Sequence, residues 1–261
     1  MLIAPNVTAK VDSRCGARIS SLRFNNREVI VTNAKSPLDW GIYPMVPFAG
    51  RIRNGSFEFD GEHYRLDQNA FPHAIHGTLF DVPWDIREES ESSMMLAAAL
   101  DDRWPFRGVV THRVSVMSSY LRCELTVEAI DRMPVQVGWH PWFAQPRNVT
   151  SEFRALLKRD ADGITSTEES APSEPPFDDC FVQAQAWPRV QIEECTLEIA
   201  SDCSHWVRYD APLGDVCIEP QSGPPNQINE VPTVIDAGES LTRWMEIRLV
   251  SASELGAGST C

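Results

Sequence analysis

Apolar and polar residues alternate with period two along most of the chain, a spacing that predicts strands rather than helices. Residues 7–11 alternate, residues 17–22 follow a glycine, and residues 29–31 are β-branched, which gives three short strands with Asn25-Asn26 as a turn. Phe57, Phe59, Tyr64 and Leu66 alternate about Asp60-Gly61, the pattern of a hairpin. Residues 84–88 and the apolar run 94–100 supply two more strands, ended by Asp101-Asp102-Arg103-Trp104-Pro105. A long hairpin is predicted over 109–116 and 121–130, about Ser118-Ser119. Val135 and Val137 alternate into Trp139, so His140 stands where a strand gives way to Pro141. Residues 192–200, 206–209, 216–218 and 241–250 complete the strands.

Two stretches depart from this pattern. Residues 151–158 have helical character, and 160–176 (DADGITSTEESAPSEPP) is acidic, polar and proline-bearing, so a mobile surface excursion is expected there. Helices are otherwise nearly absent and no repeat of 20 to 50 residues is visible, which disfavours a solenoid or an α/β architecture. Many short strands with Gly, Pro and Asn turns predict an all-β fold, a large antiparallel β-sandwich. A single domain over 1–250 is expected, with residues 251–261 as a small, polar, frayed tail.

Composition narrows the functional classes. With 43% hydrophobic residues, including eleven Phe and eight Trp, the chain can fill a substantial core. Its 23 basic and 37 acidic residues give a formal charge of −14, which repels nucleic acids and anionic membranes. No leader pattern opens the sequence and no apolar run approaches the ~20 residues of a membrane span. A cytoplasmic monomer or homodimer, with neither nucleic-acid nor membrane partner, is the expectation. Seven cysteines without a C-x-x-C pair suggest reduced thiols rather than a disulfide or zinc framework.

The most unusual chemistry lies in residues 41–84. There Gly50-Arg51-Ile52-Arg53-Asn54-Gly55 precedes the hairpin, and Pro72-His73-Ala74-Ile75-His76-Gly77 forms a punctuated loop after it. Three later segments join it: Gly138-Trp139-His140-Pro141-Trp142-Phe143, Phe177-Asp178-Asp179-Cys180-Phe181, and Cys217-Ile218-Glu219-Pro220-Gln221. In this order, and with Gly16-Ala17-Arg18-Ile19 and Ala237-Gly238-Glu239-Ser240 at either end, the set resembles the aldose 1-epimerase (galactose mutarotase) family. Typical members carry Asn-Arg-Ile, His-Gly-Gly, Thr-His-Pro-Tyr-Phe, an Asp before an aromatic, Glu-Thr-Gln and a late Pro-Gly-Glu. The chain departs from them at Gly50, Thr78, Trp139, Trp142 and Pro220, all expected at the sugar pocket.

The resemblance implies a galactose mutarotase-like supersandwich that interconverts the α and β anomers of a free aldose without a cofactor. Glu219 would be the base at the O1 hydroxyl and His140 the acid at the ring oxygen. Reference pKa values of about 4.3 and 6.5 leave such a pair charged and partly charged near neutrality. His76 would hold a sugar oxygen, Arg51 would supply a cationic donor, and Asp178, with Asp179 as the alternative, would accept sugar hydroxyls. His73 reads as a bystander, and His63, His112 and His205 as strand-surface residues. Trp104 or Trp142 would stack on the sugar. No H-x-x-x-H or H-x-H spacing points to a metal. A sugar phosphate or sulfonate remains an alternative substrate, since Arg51, Arg53, Arg65, Arg103 and Arg107 offer an anion clamp. A non-catalytic carbohydrate-binding sandwich would need no Glu219 and His140 together. A glycosidase would need a second carboxylate flanking the bond.

Overall fold

The computed structural model describes residues 1–100, 102–172, 174–210 and 214–251; most of the expected tail, 252–261, lies outside the described residues. Among the described residues, seventeen strands join in one curled antiparallel sheet, with three two-stranded ribbons beside it. Two short 3₁₀ turns, Arg53–Gly55 and Gln227–Asn229, are the only helical elements among the described residues.

One layer runs through Val7–Asp12, Arg18–Phe24, Ile42–Met45, Gly138–Phe143, Val216–Gln221 and His205–Tyr209. The second runs through Asp85–Glu89, Ser93–Ala99, Gly108–Val116, Tyr120–Ala129, Ser240–Leu249 and Cys195–Ser201. The fifteen-residue strand Asp178–Ile192 belongs to both. Its first residues pair with His205–Tyr209 and its last with Cys195–Ser201. Gln183 has φ 57° near the changeover, and the partner strand Asn148–Arg159 shifts register between Thr150 and Phe153. Such irregularities bend a strand, and here they carry one ribbon from layer to layer.

Alternation places one set of side chains between the layers. Trp139, Trp206, Leu125, Ile199 and Ile247 are buried there, and Trp139 donates from Nε1 to His112 Nε2 at 3.2 Å. His112 is therefore fully buried, not a strand-surface residue as expected. Trp139 faces this core rather than a sugar pocket. The Gly138–Phe143 and Val216–Gln221 strands are buried along their whole length, so their other face is also covered, by the loops around the cleft.

The hairpin about Asp60-Gly61 forms as predicted, pairing Ser56–Phe59 with Glu62–Arg65. Gly108–Val116 and Tyr120–Ala129 form the predicted long hairpin. At the level of elements, other expectations are revised. Residues 151–158 are not helical but lie in the strand Asn148–Arg159, held by ladders on both sides. The excursion 160–176 lies on the surface as expected, most of its described residues being exposed, but it contains the strand Thr165–Ser170 and reaches the cleft, where Thr165 Oγ1 donates to Pro225 O at 2.7 Å. Residues 29–31 form no strand of their own: Ile30 makes a single bridge to Phe143, while Val29 and Val31 donate to Leu22 and Trp142 carbonyls on opposite sides.

Candidate active site

The site is a grid laid down by strand register. Tyr43 pairs with His140. Gly138↔Gln221 and Trp142↔Cys217 place His140 opposite Glu219. Glu219 pairs with Val207, and Val207 with Cys180. Directly opposed residues on adjacent strands share a face and lie close enough for side-chain contact. One row thus reads Tyr43, His140, Glu219, Val207, Cys180, and the next reads Trp142, Cys217, Tyr209, Asp178. These rows floor a cleft of about 220 Å³ whose walls include Arg51, His76, Arg159, Gly163 and Thr165.

At its centre, His140 Nε2 lies 3.3 Å from Glu219 Oε1, both side chains all but fully buried. Glu219 Oε2 accepts from Gln221 Nε2 at 3.1 Å. The His140 ring stacks between Tyr43 (centroids 4.9 Å, 17°) and Trp142 (5.4 Å, 21°), and the Tyr43 hydroxyl and Trp142 Nε1 both donate to the Leu38 carbonyl. Sandwiched between two anchored rings, the imidazole has little freedom to rotate. Of the two tryptophans offered as sugar platforms, Trp142 lines the cleft, whereas Trp104 is buried against Phe48, Phe57 and Phe106.

His76 arrives from the opposite wall, edge-on to His140 at 4.8 Å and 84°. Its backbone is left-handed (φ 59°), and its N–H donates to Gly50 O. Gly77 follows at φ 83°, where an added Cβ would sit 2.0 Å from the Val46 carbonyl oxygen, so only glycine fits. Arg51 and Ile75 pair in a two-residue ribbon, which fixes Arg51 beside His76. His73 stands apart, accepting from the Asn54 N–H through Nδ1.

Asp178, in the floor row with Tyr209, meets both guanidiniums of the cleft. Its Oδ2 lies 2.6 Å from Arg159 Nη1 and 3.8 Å from Arg51 Nη2, while Arg159 Nε approaches Asp179 at 3.2 Å. Arg159, Tyr43 and Gln221 were not singled out from the sequence as site residues. Arg159 lies just past the stretch read as helical, 151–158; the pairing of Leu157 with Cys180, continued by two residues, sets it opposite Asp178. Gln221 had a usable signal, since it stands two residues from Glu219 on the same strand face.

Burial governs the protonation of the centre. It pushes the Glu219 carboxyl well above the usual carboxylate range; the Asp178 charge adds to this, and Gln221 and Arg51 oppose it. Burial also lowers His140 to about 3, with the Arg18 charge in the same direction. His76 is held well below its ordinary value by burial, then by His140 and Arg51. Burial thus works against the charge on both members of the pair, in contrast to the charged Glu219 and part-charged His140 expected from reference values. Arg18 stands behind the pair, fully buried, its guanidinium 4.6 Å from the Tyr43 ring centre. It donates to the carbonyls of Trp40, Pro37 and Phe80 and forms no ion pair among the described residues.

The five site residues predicted from sequence, Arg51, His76, His140, Asp178 and Glu219, therefore converge in one cleft. A profile of the aldose 1-epimerase family matches residues 2–248. Among characterised folds, the GalM/aldose epimerase homologue from C. elegans superposes with TM-score 0.85 at 14% identity, covering 95% of this chain and 97% of that one. A galactose mutarotase-like protein from Clostridium acetobutylicum gives 0.84 at 16% identity, covering 95% and 94%. Two uncharacterized Escherichia coli K12 proteins are similar in sequence. YihR is 26% identical over 60% of this chain and YphB 30% over 40%. The matched part spans about half the length of YihR (53%) and 37% of YphB. With the match running almost from end to end of the described residues, the chain belongs to the aldose 1-epimerase family.

Proposed function

We propose that the protein interconverts the α and β anomers of a free, neutral aldose by opening and reclosing the sugar ring. The observation that carries this reading is the buried His140–Glu219 contact at the floor of the cleft. Ring opening needs one proton taken from O1 and one given to the ring oxygen. Two adjacent groups that share a single proton supply both functions. Sugar hydroxyls entering the cleft replace the hydrogen bonds the carboxylate lacks, which favours the charge-separated form with the proton on His140. Glu219 then accepts the O1 proton while His140 donates to the ring oxygen. After rotation about C1–C2 the two reverse roles, and the ring closes in the other configuration.

His76 and Arg51 are assigned to sugar oxygens on one wall and Asp178 to hydroxyls on the other, with Trp142 beneath an apolar sugar face. Two guanidiniums in the cleft, Arg51 and Arg159, favour an anionic sugar as the second reading. The charge balance supports the neutral reading instead. Asp39, Asp178 and Asp179 line the same cleft, and both guanidiniums already lie against carboxylates.

The test is polarimetry or NMR exchange on freshly dissolved anomers of neutral, phosphorylated and sulfonated aldoses. Accelerated mutarotation of a neutral aldose, reduced about a hundredfold or more in folded Glu219→Gln and in His140→Asn, is the expected result. Soluble Glu219→Gln with most of its activity would sink the assignment of the base.

A further inference from the structure

We infer that His76, His140 and Glu219 form a reversible binding site for a divalent transition ion of the zinc class, which competes with the sugar. This inference rests on the acid–base reading above only for its inhibitory consequence. One ligand atom from each residue lies within 4.8 Å of the others, and all three residues are buried. A tetrahedral zinc ion with nitrogen and oxygen ligands at 2.0–2.2 Å has ligand–ligand edges of about 3.3–3.5 Å. The His140 Nε2–Glu219 Oε1 distance of 3.3 Å falls within that range. His76 needs to close by roughly 1 Å, from a loop position rather than a strand ladder.

Two imidazoles and one carboxylate are a donor set suited to zinc, cobalt and related ions. The cleft leaves a fourth position open toward solvent, where a sugar oxygen or water would complete the shell.

The surroundings also say what kind of site this is. Resident metal sites usually orient each histidine through a hydrogen bond from its second nitrogen, and loss of that partner typically weakens binding 10- to 100-fold. Here Nδ1 of both His76 and His140 is buried without a hydrogen-bond partner. The site is built for weak, exchangeable occupancy and not for a permanent cofactor. An ion seated there takes the lone pairs through which Glu219 and His140 would move protons, so it blocks turnover.

The test uses the whole, metal-stripped protein titrated with Co²⁺ as the spectroscopic probe and with Zn²⁺ by calorimetry. One equivalent of cobalt with the visible absorption of a four- or five-coordinate nitrogen–oxygen site is expected. Binding should weaken at least tenfold in His76→Ala and in His140→Asn, and a substrate aldose should displace the ion. Zn²⁺ should inhibit competitively with sugar, with full recovery in EDTA. No binding in excess cobalt, a sulfur-to-metal charge-transfer band, or binding unchanged in both histidine variants would each overturn the proposal. Because the cobalt spectrum needs no turnover, a protein that binds the ion but does not catalyse mutarotation refutes only the proposed function. One that catalyses mutarotation without binding the ion refutes only this inference.

Discussion

Glu219 is tuned from two sides, and that tuning can be read in a pH profile. Asp178 pushes its proton affinity up and Arg51 pulls it down. If the carboxylate is the working base, the acid limb of kcat/KM lies well above the ordinary carboxylate range. Asp178→Asn should move that limb to lower pH and Arg51→Ala to higher pH, whatever each does to sugar binding. Shifts in the same direction would show that another group sets the limb. Stability gives a second readout. The unfolded chain releases the Glu219 proton near its reference value of about 4.3, whereas the folded protein holds it to higher pH. Between those two values the native state binds more protons, so stability falls as pH rises and the contribution is gone above the native value. Glu219→Gln cannot show this loss. Its melting temperature relative to the wild type should therefore climb from about pH 4 upward and then level off; a constant difference would mean that burial does not shift Glu219.

At the scale of elements, what was legible followed from periodicity. The alternation about Asp60-Gly61 and across 109–130 is strong and local, and both hairpins form. The site candidates were offered by the resemblance of several short motifs, in order, to those of the family. Arg159 was not, because its place depends on pairing with a strand some twenty residues away. Residues 151–158 misled for a related reason: two register shifts break their alternation, and what remains resembles a helix. Most described residues of 160–176 are exposed, as their composition implies; that Gly163 and Thr165 line the cleft depends on tertiary packing that composition does not carry. The loop carrying His76 gives the prediction for this scale. Gly77 and Gly61 both adopt positive φ, yet an added Cβ meets the Val46 carbonyl at the first and nothing within 4 Å at the second. Gly61→Ala should cost about 1 kcal/mol from backbone strain alone and retain activity. Gly77→Ala should cost about 2 kcal/mol or more in urea unfolding and lower kcat by moving His76. Equal costs would remove the close packing against Val46 from the argument.

The whole molecule carries a formal charge of −14, and the way its cations are spent decides what the cleft can attract. Three of the arginines that sequence offered as an anion clamp are engaged elsewhere. Arg53 pairs with Asp160 and Asp162, Arg103 with Asp81, and Arg107 with Asp131. None of the three lines the cleft. Position in the sequence near a pocket loop was the only reason to consider them, and tertiary pairing overrides it. Arg51 and Arg159 do line the cleft, balanced by Asp178 and Asp179. A phosphate or sulfonate entering there must displace a carboxylate from each guanidinium against the field of an acidic protein, and its attraction would fade with salt. A neutral sugar meets no such barrier. Arg103→Ala and Arg107→Ala should therefore change kcat/KM on a neutral aldose by less than about tenfold, or ~1.4 kcal/mol. Raising salt to about 0.5 M, where screening acts over only a few Å, should leave the rate nearly unchanged. Arg159→Ala, by contrast, should raise KM through release of Asp178, with a smaller effect on kcat. A preference for a charged aldose, with efficiency that collapses in salt and in Arg159→Ala, would reverse the conclusion, because it would mean that substrate binding breaks the Asp178 pairs and frees both guanidiniums to hold the anion.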